Sequence, residues 1–428
     1  MKKALAIVLA AGFVVGSYAT DARVVVMGRH SAFYRDEVSI FRNPADISLY
    51  PNMLYGSYGW LKPDTATSSQ SYQNVYPQDP FFGALMSYRF SEEENGPMLS
   101  LGVFLNRRDD VLTGLLEQGK NDSVTHLHDP TKPNESYAHK YNQLEQPVGK
   151  IDVVVGYDLG NGLAVGLGAY GAYQRIDIED NMVALTSVLK GTLGINWNLE
   201  QGLDFEASVN GGIISGFSSV DSSESSYSER YDNKLRSNVA DGDFFWRGDV
   251  RFFSAVPAIN GSFVPQVSLE FMNFDRANRL DLTGGVGINM NIDRGFFWAG
   301  VQGLYTELTV SGQNGNTESS IGGRFSFGIE RNIMWDWFLI RVGGQKEIRN
   351  VSIGSGFSRW EENSPGFEKF GAENGADGDL VSLGFGLNVD NRLRIDFVAA
   401  EDLPYTFTNL VSGNKSHLFN RVSATYRF

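Results

Sequence analysis

The sequence predicts an all-β protein: a transmembrane up-and-down antiparallel β-barrel of about 14 to 16 strands, the direct count being about 16, behind a short N-terminal segment. Three observations carry that prediction. From Met53 onward, apolar and polar side chains alternate over segments of about ten residues, the period of a strand with two unlike faces. The connections between these segments alternate between short and mostly long along the chain. The chain then ends in one more alternating segment, closed by Phe428.

Ahead of the barrel, Met1-Lys2-Lys3 supplies a charged start, Ala4 to Val15 an apolar run, and Gly16, Ser17 and Ala19 the small residues of a cleavage site. Residues 1–19 are therefore expected to be a signal peptide cut after Ala19, with Ala22 as a second option. That apolar run is short for a bilayer crossing, and every apolar stretch beyond residue 22 is broken by charge, glycine or serine. Crossing by strands is what remains. The expected organisation is a signal peptide (1–19), an N-terminal segment (20–50) and a barrel (51–428).

Within the barrel, Ile151, Val153, Val155, Tyr157 and Leu159 alternate with Asp152, Gly156 and Asp158. After Gly160-Asn161-Gly162 the hairpin partner repeats the pattern with Leu163, Val165, Leu167 and Ala169. The same alternation runs from Leu185 to Leu199 against Thr186, Lys190, Thr192, Asn196 and Asn198, and from Leu280 to Met290 against Arg279, Asp281, Thr283 and Asn289. Short turns are expected at 91–97, 160–162, 200–202, 257–262, 293–295, 331–336 and 390–391, and long loops at 61–80, 107–147, 218–242, 349–377 and 402–416. Outer-membrane barrels sort their connections in this way, tight on the periplasmic side and longer outside, whereas a soluble sandwich has no reason to. Aromatic residues at Trp60, Phe81-Phe82, Phe244-Phe245-Trp246, Phe296-Phe297-Trp298 and Trp335/Trp337 fall near strand ends, where interfacial girdles are expected. Projecting the polar faces inward makes Arg247, Asp249, Arg251, Arg279, Asp281, Arg392, Arg394 and Asp396 lumen-lining charges. In the last segment Leu418, Asn420, Val422, Ala424, Tyr426 and Phe428 share one face; such a strand with a C-terminal Phe resembles the signal read by the barrel-assembly machinery.

Before the first strand, the stretch from Val26 to Ile47 places Asp36-Glu37 ahead of Asn43-Pro44-Ala45. Asn-Pro favours a turn and blocks helix continuation at Asn43, which suits a chain turning into a barrel wall. This stretch resembles the N-terminal segment of the FadL superfamily of outer-membrane transporters, and is similar to that of PorV-type proteins of the type IX secretion system. The resemblance implies that residues 20–50, with Asp36, Glu37, Asn43, Pro44 and Ala45, form a small lumenal plug. It also implies passive uptake of a small hydrophobic molecule, of the long-chain fatty acid or aromatic hydrocarbon class, past an outer groove, a lumenal pocket and a lateral gap in the wall. Pro265, which lacks an amide hydrogen, is a candidate for such a gap, with an ordinary bulge as the alternative. A PorV-like role would instead be to bind or anchor secretion partners at the surface, and a general diffusion porin is a third reading. The count of about 16 strands departs from the superfamily's usual fourteen.

Composition narrows the chemistry. With 48 Gly, 13 % aromatic residues and no Cys, a large hydrogen-bonded sheet rather than disulfides must hold the chain together. The formal charge of −14 becomes about −16 without Lys2 and Lys3, which repels phosphate backbones and excludes nucleic acid as a partner. Expected partners are outer-membrane lipid, the assembly machinery, a small hydrophobic ligand or, in the alternative role, secretion proteins. Gly166-Leu167-Gly168-Ala169-Tyr170-Gly171 spells a dinucleotide fingerprint but lies in a strand, with no helix to meet a pyrophosphate, so small lumen-facing residues explain it. Ala240-Asp241-Gly242-Asp243 and Ala376-Asp377-Gly378-Asp379 read as turns rather than Ca²⁺ ligands, since no glutamate follows at EF-hand spacing. His126, His128 and His139, with Asp122 and Asp129, are read as solvated loop residues, so no metal or cofactor is expected. No G-x-S-x-G elbow occurs, and no enzyme is expected.

Overall fold

The computed structural model describes residues 21–28, 30–60, 77–93, 96–109, 111, 147–177, 182–199, 202–220, 241–274, 277–310, 317–333, 335–353, 357–361, 380–390, 392–400, 403, 411–412, 419 and 421–428. The signal peptide, the histidine loop and the second Asp-Gly-Asp turn lie outside them. The N-terminal segment holds α1 (Asp21–Val26) and two 3-10 helices, Glu37–Phe41 and Pro44–Leu49. The strands then follow as β1 (Met53–Trp60), β2 (Pro77–Arg89), β3 (Met98–Leu105), β4 (Gly149–Asp158), β5 (Leu163–Asp177) and β6 (Met182–Leu199). Next come β7 (Leu203–Val220), β8 (Asp241–Val256), β9 (Gly261–Phe274), β10 (Ala277–Ile292), β11 (Gly295–Val310) and β12 (Thr317–Asn332). The last are β13 (Phe338–Ile353), β14 (Phe357–Glu361), β15 (Leu380–Val389), β16 (Leu393–Ala400) and β17 (Arg421–Arg427). No helix among the described residues is long and apolar enough to cross a membrane.

All pairings are antiparallel, and all but β13 with β15 and β17 with β1 join chain neighbours; β17 pairs with β1 from Met53↔Arg427 to Gly59↔Arg421, which closes the sheet. β14 and β15 lie along the same edge of β13, the first against residues 349–353 and the second against 338–345. They form one stave in two pieces, so the 17 strands build a barrel of sixteen staves. Part of the stretch expected to be loop at 349–377 is therefore wall, because the β13–β14 hairpin continues the ladder upward. Several turns on the short side use left-handed residues, among them Arg294 at φ 54° and Asp390 at φ 52°.

The two faces of the wall are inverted relative to a soluble protein. Leu189 is 59 % and Ile213 53 % exposed on the outside, while the inward Lys190 and Asn210 of the same strands are buried. An apolar exterior and a polar interior are what a barrel in a bilayer requires, since every backbone group is paired within the wall and lipid meets only apolar side chains. The aromatic runs need a correction. Phe82, Phe244, Trp246, Trp335 and Trp337 point outward, but Phe81, Phe245 and Trp298 are buried on the inner face. Consecutive strand residues face opposite ways, so a run of three aromatics cannot all serve one girdle.

The N-terminal segment packs against the inner face of the wall, where that face lacks side chains. A Cβ at Gly166 would overlap the backbone of Pro44 and Ala45, one at Gly300 the ring of Phe33, and one at Gly343 the backbone of Val26 and Met27. Gly166, Gly168 and their strand neighbours thus act as a seat, which is the use of the fingerprint-like run in β5. Apolar contacts complete the fit. Ile40 and Ile47 pack with Met53, Tyr55, Leu85, Phe104 and Val154 on one side, and Met27, Phe33 and Tyr34 with Phe253, Val264 and Trp298 on another.

Candidate lumenal site

The Asn-Pro-Ala motif is a capped turn locked to the wall. Asn43, in extended conformation, accepts a hydrogen bond from the Ala45 amide at 3.2 Å and starts the 3-10 helix that Pro44 begins. Its side-chain amide donates to Asn196 on β6 at 2.5 Å, and the Asn196 amide donates in turn to Asp46 at 2.6 Å. Asp36 caps the preceding 3-10 helix and pairs with Arg23, while Glu37 accepts from Arg427 at 3.3 Å. Burial, then the neighbouring charge of Glu37, raises the Asp36 carboxyl to about 7 despite the opposing pull of Arg23.

Two clusters of paired charges join the N-terminal segment to the wall. Glu330 on β12 takes Arg23 at 2.8 Å, Arg341 at 2.9 Å and Arg394 at 3.2 Å, and Asp396 shares Arg341 and Arg394. Across the lumen, Glu206 on β7 holds both Arg35 and Arg251, and Arg251 also donates to the carbonyls of Ser31 at 2.8 Å and Tyr34 at 3.0 Å. Of the charges read as lumenal from sequence, Arg251, Arg394 and Asp396 meet the N-terminal segment or its ion-pair partners, whereas Arg247–Asp249 and Arg279–Asp281 pair on the wall. Arg392 departs from the set. It stands exposed in the β15–β16 turn, where the chain leaves the ladder at Asp390 before the alternation of faces begins.

At Pro265 the β8–β9 ladder skips Phe252 and Phe253 between Arg251↔Gln266 and Ser254↔Phe263. The missing amide hydrogen accounts for the lapse. Aromatic side chains fill the place: Phe253 lies 4.4 Å from the Arg35 guanidinium and 4.9 Å from that of Arg251, and Phe252 packs on Phe205 with centroids 5.0 Å apart.

Two features escaped the sequence reading. The first is an apolar belt on the inner face of five consecutive staves, Tyr170 and Ala172 (β5), Val188 (β6), Ile214 (β7), Phe245 (β8) and Met272 (β9). Ladder partners place several of them side by side, with Ala172↔Val188, Val188↔Ile214 and Phe245↔Met272. Ile214 is 0 % and Phe245 2 % exposed. The second is an inward arm at the start of the β3–β4 connection. Arg107 meets Asp152 on β4 at 2.7 Å and Asp109 at 3.0 Å, Asp109 pairs with Lys190 on β6, and Val111 joins the apolar belt. The Arg107 guanidinium also lies 4.1 Å above the ring of Phe41 in the N-terminal segment, and its carbonyl accepts from the Tyr170 hydroxyl at 3.2 Å.

No family model and no curated protein matches the chain. Among solved structures it is similar to the Pseudomonas putida toluene transporter TodX, at 12 % identity and a TM-score of 0.35, covering 89 % of this chain and 92 % of that one. It is similar to the CymD monoaromatic hydrocarbon channel at 11 % identity and 0.38, covering 97 % and 98 %. BamA from Haemophilus ducreyi lacking POTRA domains 1-3 aligns at 8 % identity and 0.34, covering 88 % and 70 %. At these scores the likeness decides neither cargo nor partner.

Proposed function

We propose that this barrel is an outer-membrane channel for passive uptake of small hydrophobic molecules, of the long-chain fatty acid or aromatic hydrocarbon class. The observation that carries the reading is the apolar belt, which places Ala172, Val188, Ile214, Phe245 and Met272 on the inner face. Water-filled barrels line their interior with polar groups, and a run of buried apolar side chains there has no use in passing ions or sugars. The residues from Asp21 to Tyr50 act as the plug below it, with Asp36, Glu37, Asn43, Pro44 and Ala45 fixing the turns. Charges in the lumen are compatible with an apolar cargo because they are spent on one another, as around Glu330 and Glu206. In this reading Pro265 marks a lapse of the ladder without change of register, filled by Phe252 and Phe253, and the wall is not breached there. Tyr426 and Phe428 present the C-terminal strand to the assembly machinery.

The test is binding of N-phenyl-1-naphthylamine, a neutral probe that brightens in apolar surroundings, to the purified barrel in detergent. The wild type is expected to bind it saturably, and Val188→Asn/Ile214→Asn to lose about tenfold or more in affinity, since two buried polar substitutions remove apolar surface and add desolvation cost. Equal affinity in both would exclude the belt as a cargo site.

A further inference from the structure

Val111 is the only described residue outside the wall in the apolar belt, and it comes from a connection whose preceding residues are fastened to the wall by charge. Arg107 bridges Asp152 and Asp109, and Asp109 reaches across to Lys190. These side chains are largely buried, and such pairs hold a loop only when each charge is answered, as here. The cost of leaving a partner bare makes the arrangement two-state: the arm is either docked with its charges matched or released with them in water.

We propose that Arg107, Asp109 and Val111 form an autoinhibitory arm, in which Val111 covers the apolar belt in place of cargo and the Asp152–Arg107–Asp109–Lys190 chain is the latch. The proposal rests on the reading of the belt as the cargo site. A hydrophobic molecule entering the belt displaces Val111, and the latch opens with it. Because Arg107 also stacks on Phe41, release of the arm frees one contact on the upper surface of the plug. The arm thus links occupancy of the belt to the segment beneath it.

The absence of native cysteine makes the arm easy to watch. In the otherwise cysteine-free full-length barrel, Val111→Cys is labelled with a soluble maleimide, with and without saturating N-phenyl-1-naphthylamine. Labelling is expected to be slow without probe and about tenfold faster with it. Asp109→Asn and, independently, Lys190→Gln are expected to speed labelling without probe and to tighten probe binding by about tenfold, because a competing closed state is removed. Folding of each variant is checked by its heat-dependent shift on gels. Probe binding to the wild type with an unchanged labelling rate would overturn the arm and leave the cargo site standing. Probe binding seen only in the latch variants would support it. No saturable binding in any form would overturn both.

Discussion

Burial pushes the Asp109 carboxyl up, and Lys190 and Arg107 outweigh it, leaving the group well below the usual carboxylate range. Asp152 on β4 and the Tyr170 ring on β5 also face this cluster. A depressed carboxylate stabilises the docked arm above its released value of about 3.9, and that contribution is lost only as pH falls through the depressed value. Affinity for N-phenyl-1-naphthylamine is therefore expected to be the same at pH 7.5 and pH 5 and to tighten only in stronger acid, as the arm is released; tightening already at pH 5 would contradict the ion-pair geometry. Residues were legible from sequence where local chemistry announces them. Asn43 was, because Asn before Pro favours a turn whatever surrounds it. Arg107 and Asp109 were not, since their partners lie on β4 and β6 and nothing periodic marks the arm. Arg392 was misplaced because it keeps the parity of Arg394 and Asp396 while standing beyond the end of their strand.

At the scale of elements, the strands were readable because a two-sided wall imposes period 2 and its turns repeat turn chemistry. Which aromatics face the lumen was harder, as Phe244-Phe245-Trp246 shows: both neighbours of Phe245 face outward, and only the register separates them. The N-terminal segment depends on the glycine seat. Gly166→Val forces an isopropyl group into the backbone of Pro44 and Ala45, and is expected to cost about 1–3 kcal/mol and expose the segment to protease while the barrel stays folded. Limited proteolysis with N-terminal sequencing checks it; a resistant segment would show that the seat is loose. A second element-level prediction concerns β9. If the ladder lapse at Pro265 is a sealed interruption in an unchanged register, Pro265→Ala leaves uptake of apolar probe unchanged, whereas a lateral exit there would lose it when the rung is restored.

For the molecule as a whole, a closed sixteen-stave wall, a seated N-terminal segment, neutralised charge and an apolar inner belt are what the proposed reading, a selective conduit rather than an open pore, requires. An open pore would leave mixed charges lining water, but Arg23, Arg341 and Arg394 converge on Glu330 and tie the segment to the wall. Glu330→Gln leaves those three arginines without their shared carboxylate, an expected loss of about 3–5 kcal/mol that should appear as noisy ion conductance in planar bilayers. Quiet, wild-type conductance would mean that the cluster does not hold the segment. The most direct measurement of the central claim is cellular. Uptake of radiolabelled long-chain fatty acid and of a labelled neutral aromatic hydrocarbon is compared in cells lacking the gene, restored with wild type or with Val188→Asn/Ile214→Asn. The account predicts that wild type raises uptake of at least one cargo and that the double variant, present at equal level, does not; equal uptake in all three strains would contradict it.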